Sequence, residues 1–127
     1  MKLISKWKKN PKEKESNDFC GPEQRIVDYL TEKSPQEYKR NDQFEIIVKE
    51  DIDFQYFVEL HIHLDTEDLE TIKKESRYVA DLFMFPPYPI VLFRFVYYRN
   101  GKEVCFVTKT DAGEYYITVG EESTRFK

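Results

Sequence analysis

The sequence predicts an α+β fold, a single two-layer domain in which an antiparallel sheet of about five strands is packed by two helices. The predicted order of elements is α-β-β-α-β-β-β. The clearest support is the stretch from Phe54 to Asp65, where every second residue is apolar, as in a strand with one buried face. The second observation is Asn100-Gly101 between two apolar, strand-like runs, a strong signal for a hairpin and therefore for antiparallel pairing.

Two stretches show the spacing of apolar residues that is typical of helices. The first, 22–33, begins with a proline that suits the first helical position and is followed by a Ser-Pro pair that stops it. The second, 66–83, can be capped by Asp65 or Thr66 and has acidic residues in its first turns, where the helix dipole favours them. Its expected buried stripe consists of Leu69, Ile72, Val79, Leu82 and Phe83.

The remaining patterned segments are rich in β-branched and aromatic residues and predict strands. These segments are 43–49, 54–65, 90–98, 103–109 and 115–120. Segment 90–98 is apolar on both sides, which predicts a central strand covered on both faces. The polar segments 35–42 and 121–127 are predicted to be a connection and a tail.

Length and charge indicate one folded domain, 19–127, preceded by a basic polar segment, 1–18. The net charge of the chain is −4, but residues 1–20 carry six lysines against three carboxylates, so the rest of the chain carries −7. An acidic body repels the phosphate backbone, which disfavours direct binding of nucleic acid. The same charge favours a basic protein as the partner.

Cysteine usage and hydropathy bear on the compartment. Cys20 and Cys105 are too few for a disulfide scaffold and are expected to be reduced thiols, which indicates a cytoplasmic protein. No apolar run of about 18 residues occurs, and the basic start lacks the apolar core of a secretory signal, so no membrane span is expected. Leu3, Ile4 and Trp7 form a short apolar stripe. We expect it to dock on the body; the alternatives are contact with an anionic membrane surface and tethering in a larger assembly.

The histidines suggest a metal site. His61, His63 and Glu59 fall on one face of the alternating strand, with about 6.5 Å between successive positions, and could bind Zn²⁺ or Fe²⁺. The competing and favoured interpretation is a strand face that meets solvent or a partner, because the chain has no third histidine. A third use of two close imidazoles is pH sensing. We expect no cofactor.

No catalytic motif is present, which predicts that the protein is not an enzyme. Cys20 lies close to the start of a helix, where a thiolate is stabilised, but nothing in the sequence places a histidine beside it. The chain has only four glycines, which excludes a glycine-rich loop that cradles phosphates.

Acidic and aromatic clusters predict a surface for binding another protein. The expected partner-binding residues are Asp51, Asp53, Glu67, Asp68, Glu70, Phe85 and Tyr88. The prediction is a non-enzymatic protein-binding domain, including the case of an inhibitor or immunity-type protein that docks on a basic partner such as a nuclease. The alternative is a small-ligand or metal-binding domain, with enzymatic activity as one form of it, whose sheet-lined pocket lies near Glu59, His61 and His63.

Overall fold

The computed structural model of the protein describes residues 21–50, 55–84 and 86–127. Its helices in these ranges are α1 (Pro22–Lys33), α2 (Gln36–Arg40) and α3 (Leu69–Leu82). Its strands are β1 (Glu45–Glu50), β2 (Tyr56–His63), β3 (Ile90–Arg99), β4 (Lys102–Thr110), β5 (Tyr115–Val119) and β6 (Glu122–Phe126). The predicted α+β class is confirmed, because the described residues form helices and one sheet.

The strands form a six-stranded mixed sheet in the order β1-β2-β3-β4-β5-β6. Four neighbouring pairs are antiparallel, but β2 and β3 are parallel, with Leu60 opposite Phe95. The prediction of a fully antiparallel sheet is therefore wrong at this pair. The cause is α3, because a helical connection between two strands returns the chain to the end of the sheet where it started.

Two polar segments that were predicted to be irregular form regular structure. Residues 122–126 pair with β5 as a sixth strand, which gives one strand more than expected. The turn between them is made by Gly120, whose φ of +62° is readily adopted by glycine. Residues 36–40 form the short helix α2, which gives one helix more than the two expected. Both errors arose because these segments carry few apolar residues for a pattern to reveal. Of the two segments, only β6 lies at an edge of the sheet.

One hydrophobic core lies between the sheet and the described helices. The strands contribute Ile46, Val48, Tyr56, Val58, Leu60, Ile62, Phe93, Phe95, Tyr97, Cys105, Val107 and Ile117 to it. The helices and the segments beside them contribute Ile26, Val27, Leu30, Tyr38, Phe44, Ile72, Val79, Ala80 and Phe83. The alternation predicted for β2 is confirmed, since its even-numbered residues are all buried in this cluster. Cys105 is buried in the same core, as a small packing residue.

The start of α3 differs from the expected cap. Asp68 is the capping residue, and its carboxylate accepts hydrogen bonds from the backbone N–H and the hydroxyl of Thr71, at 3.1 and 2.6 Å. The caps that we expected were Asp65 or Thr66, and Thr66 instead accepts a bond of 3.0 Å from the backbone N–H of Asp68. The helix therefore begins three residues later than predicted.

The hairpin between β3 and β4 agrees with the prediction. Asn100 and Gly101 both have positive φ, at 53° and 80°, as a two-residue turn of the type favoured in twisted hairpins requires. Lys102 then pairs with Arg99. This turn sets β4 antiparallel to β3 and places the last three strands on one side of the parallel pair.

Candidate functional site

The second face of the sheet carries the side chains that alternate with the core residues. No described helix packs its buried residues there, so we call it the helix-free face. Its side chains in the first three strands are Glu45, Ile47, Lys49, Phe57, Glu59, His61, His63, Leu92, Arg94, Val96 and Tyr98. We predicted that β3 would be covered on both faces. In the described residues a helical layer covers only one, although Val96 on the other face is just 5% exposed.

Strand register brings together residues that are far apart in sequence. Glu59 lies between Ile47 of β1 and Arg94 of β3. His63 lies opposite Tyr98. The parallel pairing of β2 and β3 therefore places a cation and a tyrosine of β3 beside the acidic and histidine residues of β2.

A hydrogen-bonded chain links Glu59, His61 and Tyr98. The His61 Nε2 atom lies 2.9 Å from Glu59 Oε1, and His61 Nδ1 lies 2.8 Å from the Tyr98 hydroxyl. A carboxylate can only accept, so Nε2–H donates to Glu59. In the neutral imidazole, Nδ1 then accepts a hydrogen bond from the Tyr98 hydroxyl. Both ring nitrogens of His61 are occupied in this arrangement.

The charge state of Glu59 follows from its neighbours. Its hydrogen bond to His61 lowers the pKa of its carboxyl, and the charges of Lys49, His61 and Arg94 act in the same direction against the effect of burial. Lys49 Nζ and Arg94 Nη1 lie 3.8 and 3.6 Å from Glu59 Oε2. Glu59 is therefore ionised at neutral pH, hydrogen-bonded to His61 and within ion-pair distance of two cations.

Tyr98 is held between the two histidines. Its ring is stacked with those of His61 and His63, with centroids 5.6 and 4.9 Å apart. Burial raises the pKa of Tyr98, and the carboxylates of Glu103, Glu59 and Glu45 raise it further. Tyr98 is consequently a neutral hydrogen-bond donor at neutral pH and not an activated nucleophile.

The imidazole of His63 is held toward its neutral form. Burial lowers the pKa of its imidazole, and repulsion by His61 lowers it further. Its ring packs against that of Tyr98, and no carboxylate of the described residues forms an ion pair with it. A charge on His63 is thus disfavoured in the folded protein.

We expect acidification to destabilise the fold for this reason. A group whose pKa is lowered by folding contributes stability above its unfolded pKa, and this stability is lost as the pH falls. For His63 the loss begins below its ordinary value of 6.5, and for Glu59 it begins below 4.5. The melting temperature should be constant between about pH 7 and 8 and fall steadily below this range.

Thermal unfolding of wild type and His63→Gln at pH 8, 6 and 5 measures this effect. The first pH lies above the ordinary imidazole pKa of 6.5, and the other two lie below it. The variant lacks the titrating group, so its melting temperature should change less between pH 8 and 6. An unchanged wild-type melting temperature over this range, or equal slopes in both proteins, would contradict the expectation.

A shallow depression adjoins this chain on the same face. It has a volume of about 280 Å³ and is lined by Lys49, Phe57, Val58, Glu59, Leu92 and Arg94. Phe57 is 37% exposed at its rim. The depression therefore combines two cations, one carboxylate and apolar side chains. Of the three residues expected near a pocket, Glu59 lines it, and His61 and His63 do not.

The structure places the metal candidates on one face, as expected, but gives His61 other partners. Within residues 21–50, 55–84 and 86–127, no group of three or more His, Cys, Asp or Glu side chains is arranged to hold a metal ion. A metal at His61 would displace Glu59 or Tyr98 from a ring nitrogen. Metal binding by Glu59, His61 and His63 stays a prediction.

The acidic residues at the start of α3 are partly neutralised. Arg99 reaches Glu67 at 3.0 Å and Asp65 at 3.5 Å. Glu70 pairs with Lys73 at 2.9 Å. The carboxyls of Asp65, Glu67 and Glu70 nevertheless remain largely exposed, at 95, 66 and 73%. The carboxylate of Asp68 is already engaged in capping α3, and the hydrogen bonds from Thr71 lower its pKa.

The other predicted partner-binding residues lie elsewhere. Tyr88 precedes β3, and its ring makes an edge contact with Tyr29 at 5.7 Å, so it supports the packing of α1. Glu67 lies just before the start of α3, and Tyr88 lies after its end. The two ends of this helix are about 20 Å apart. Tyr88 and Glu67 therefore do not belong to one small patch. Asp51, Asp53, Phe85, the thiol of Cys20 and segment 1–18 lie outside the described residues.

The sequence did not reveal Lys49, Arg94 or Tyr98 as site residues. Their only signal was the alternation within β1 and β3, which places them on the same side as other surface residues. Lys49 approaches Glu59 through the antiparallel pairing of β1 with β2, and Arg94 and Tyr98 approach Glu59 and His63 through the parallel register of β2 and β3. No local pattern encodes either register.

Comparisons with known proteins found no matching family model, no similar curated protein and no similar solved structure. In the part of the chain that the structure describes, no helix is long and apolar enough to cross a membrane.

Proposed function

We propose that this protein is a non-enzymatic binding domain that docks on a basic protein partner through the end of the helix-free face around Tyr98. We define the Tyr98 patch as His61, His63, Tyr98, Asp65 and Glu67. The observation that carries the proposal is the placement of Tyr98, a half-buried aromatic ring between two imidazoles and surrounded by carboxylates. Tyrosines with a polar rim of this kind are common energetic centres of protein interfaces.

Charge supports a basic partner at this end. Beside the larger effect of burial, the carboxylates of Glu103, Glu59 and Glu45 raise the pKa of Tyr98. A bond of 2.9 Å from the Leu64 N–H to the Tyr98 carbonyl keeps the chain after β2 beside β3. The exposed acidic residues that follow β2, Asp65 and Glu67, therefore lie at the same end of the sheet as Tyr98. Arg99 offsets only part of their charge, and a cationic partner would gain from the remainder.

An inhibitor or immunity-type role is the specific form of this proposal. A partner such as a nuclease presents a basic surface to its substrate, and an acidic domain that covers that surface blocks it. The patch also favours binding over catalysis, since burial raises the pKa of Tyr98 and keeps its phenol protonated. The thiol of Cys105 is buried in the core on the other face of the sheet. A cytoplasmic location belongs to the same proposal.

Affinity capture from cell extract at low and high salt tests the proposal. Tagged wild type should retain a basic protein at low salt and release it at high salt, because exposed charges are screened. The variants Glu67→Lys and Tyr98→Ala should each reduce its capture at least about tenfold. The recovered protein is then purified and its dissociation constant measured directly.

Glu122→Lys is the matched control. It makes the same charge change on an exposed residue of β6, at the far edge of the sheet from β2. Capture that is reduced equally by Glu67→Lys and Glu122→Lys would reflect net charge alone and would contradict docking at the Tyr98 patch. Circular dichroism of each variant shows whether it is folded.

The second candidate function is binding of a small ligand in the depression beside Glu59. It is favoured by one observation, the presence of Lys49 and Arg94 together with the exposed ring of Phe57 around a concave surface. This surface lies toward the opposite end of β2 from His63, so the two functions use different residues of the same face.

A further inference from the structure

We propose that the depression lined by Lys49, Phe57, Glu59, Leu92 and Arg94 binds a small organic carboxylate that carries an aromatic or branched apolar group. This inference names the ligand class for the second candidate function and rests on that function, not on docking at the Tyr98 patch. Three features of the depression support it: an excess of positive charge, hydrogen-bond donors that are not used, and an apolar rim.

The charges of the depression do not balance. Lys49 and Arg94 both approach a single atom, Oε2 of Glu59, while Oε1 of the same carboxylate is bound to His61. One carboxylate thus serves two permanent cations and an imidazole. The site retains at least one positive charge in excess, which a ligand carboxylate would neutralise.

The donors of the two cations are not used up. Their distances to Glu59, 3.8 and 3.6 Å, are longer than the roughly 2.7–2.9 Å of direct charge-assisted hydrogen bonds. In the described part of the chain, the buried Nε atom of Arg94 has no hydrogen-bond partner. A carboxylate placed between Lys49 and Arg94 can accept from both without displacing His61 from Glu59.

Arg94 is held in position for this role. Its guanidinium lies over the ring of Phe106, 4.7 Å from the ring centroid. Such stacking fixes the plane of the guanidinium, so less side-chain entropy is lost when it binds an anion. Among the residues that the structure describes, no ring makes a comparable contact with Lys49, which would adjust to the ligand.

The rim explains the apolar part of the ligand. Phe57 lies opposite Leu92 in the parallel pair, and its ring is 37% exposed. A ligand ring that packs on these two side chains would bury apolar surface that now faces outward. The volume of about 280 Å³ is at the lower limit for small-molecule sites and suits a single ring with a carboxylate.

Titration with phenylacetate, followed by amide chemical shifts, tests the proposal. We expect a dissociation constant on the order of 1 mM, as for other ligands of this size, with the largest shifts at Phe57, Glu59 and Arg94. Phenylacetamide has the same shape without the charge and should bind at least about tenfold more weakly. A peptide that ends in phenylalanine supplies the same carboxylate and ring from a protein source.

The variants Lys49→Gln and Arg94→Gln should each weaken binding of phenylacetate at least about tenfold. Arg125→Gln is the matched control, because Arg125 lies on the same face in β6, outside the depression, and pairs with Glu114. Equal binding of the amide, absence of binding, or equal effects of the Arg94 and Arg125 variants would overturn the proposal. Much tighter binding of the peptide would overturn the assignment to a small molecule.

The outcome is separable from the docking proposal. Phenylacetate binding is measured on the isolated protein and depends on Lys49 and Arg94. Capture of a basic partner depends on Glu67 and Tyr98. Arg94→Gln should leave that capture intact, so failure of either proposal is seen without failure of the other.

Discussion

Replacing Phe95 by alanine is expected to lower the free energy of unfolding by about 3–5 kcal/mol. Phe95 is fully buried at 0% exposure, in the middle of β3, and its ring is stacked with that of Phe93 at 6.0 Å. The substitution removes a large apolar group and leaves a cavity between the sheet and the helices that close packing prevents from collapsing fully. Urea unfolding followed by circular dichroism measures the change.

Phe57→Ala is the matched control for this prediction. The same side chain is removed from the helix-free face, where Phe57 is 37% exposed, so the expected loss is below about 1 kcal/mol. Equal losses for the two variants would mean that the helix-free face is packed as tightly as the core. If Phe95→Ala does not fold, Phe95→Leu removes less volume and should still lose more stability than Phe57→Ala.

The second large effect concerns a buried pair of hydroxyls. Ser76 Oγ lies 2.8 Å from the carbonyl oxygen of Ile72 and 2.8 Å from the hydroxyl of Tyr97. A carbonyl only accepts, so Ser76 donates to Ile72 and accepts from Tyr97. Burial raises the pKa of Tyr97, which keeps this phenol neutral and its proton in the hydrogen bond.

The direction of these bonds predicts unequal costs. Tyr97→Phe removes a donor and leaves Ser76 bonded to Ile72, so the free energy of unfolding should fall by about 1 kcal/mol. Ser76→Ala leaves the Tyr97 hydroxyl buried without its acceptor, at a cost of about 1–3 kcal/mol. The double variant has no orphaned group, so it should be no less stable than Ser76→Ala alone.

Denaturant unfolding of the two single variants and the double variant measures this cycle. Tyr78→Phe is the control, since Tyr78 lies on the outer side of α3 at 52% exposure and its loss of a hydroxyl should change stability little. Additive losses in the double variant would show that the two hydroxyls are not coupled. A larger loss for Tyr97→Phe than for Ser76→Ala would show that the donor has been assigned the wrong way round.

Local patterns predicted those parts of the fold whose cause is local. The first helix has a proline at its start and an apolar face, so its bounds of 22 and 33 agree with the structure. The Asn100-Gly101 turn needs two residues with positive φ, which few other pairs supply. The alternation in β2 reports a one-sided core directly, because successive side chains of a strand point to opposite faces.

The errors are located where the cause lies in tertiary structure. β6 carries mostly exposed residues, and only its pairing with β5 makes it a strand. The parallel direction of β3 depends on the return of the chain through α3, which periodicity does not report. The contacts of Phe126 with Lys73 and Arg77 of α3 could not be predicted for the same reason, because they form only when β6 pairs with the sheet.

The alternation in β2 predicted that one face of this strand is buried and that Glu59, His61 and His63 share the other, since alternation depends only on neighbouring residues. The residues that surround these three side chains depend on the tertiary structure. Arg94 and Tyr98 lie more than thirty residues from Glu59 and His63 in sequence and meet them through strand pairing. Interstrand register places them there, and it is set by the packing of the whole sheet on its helices.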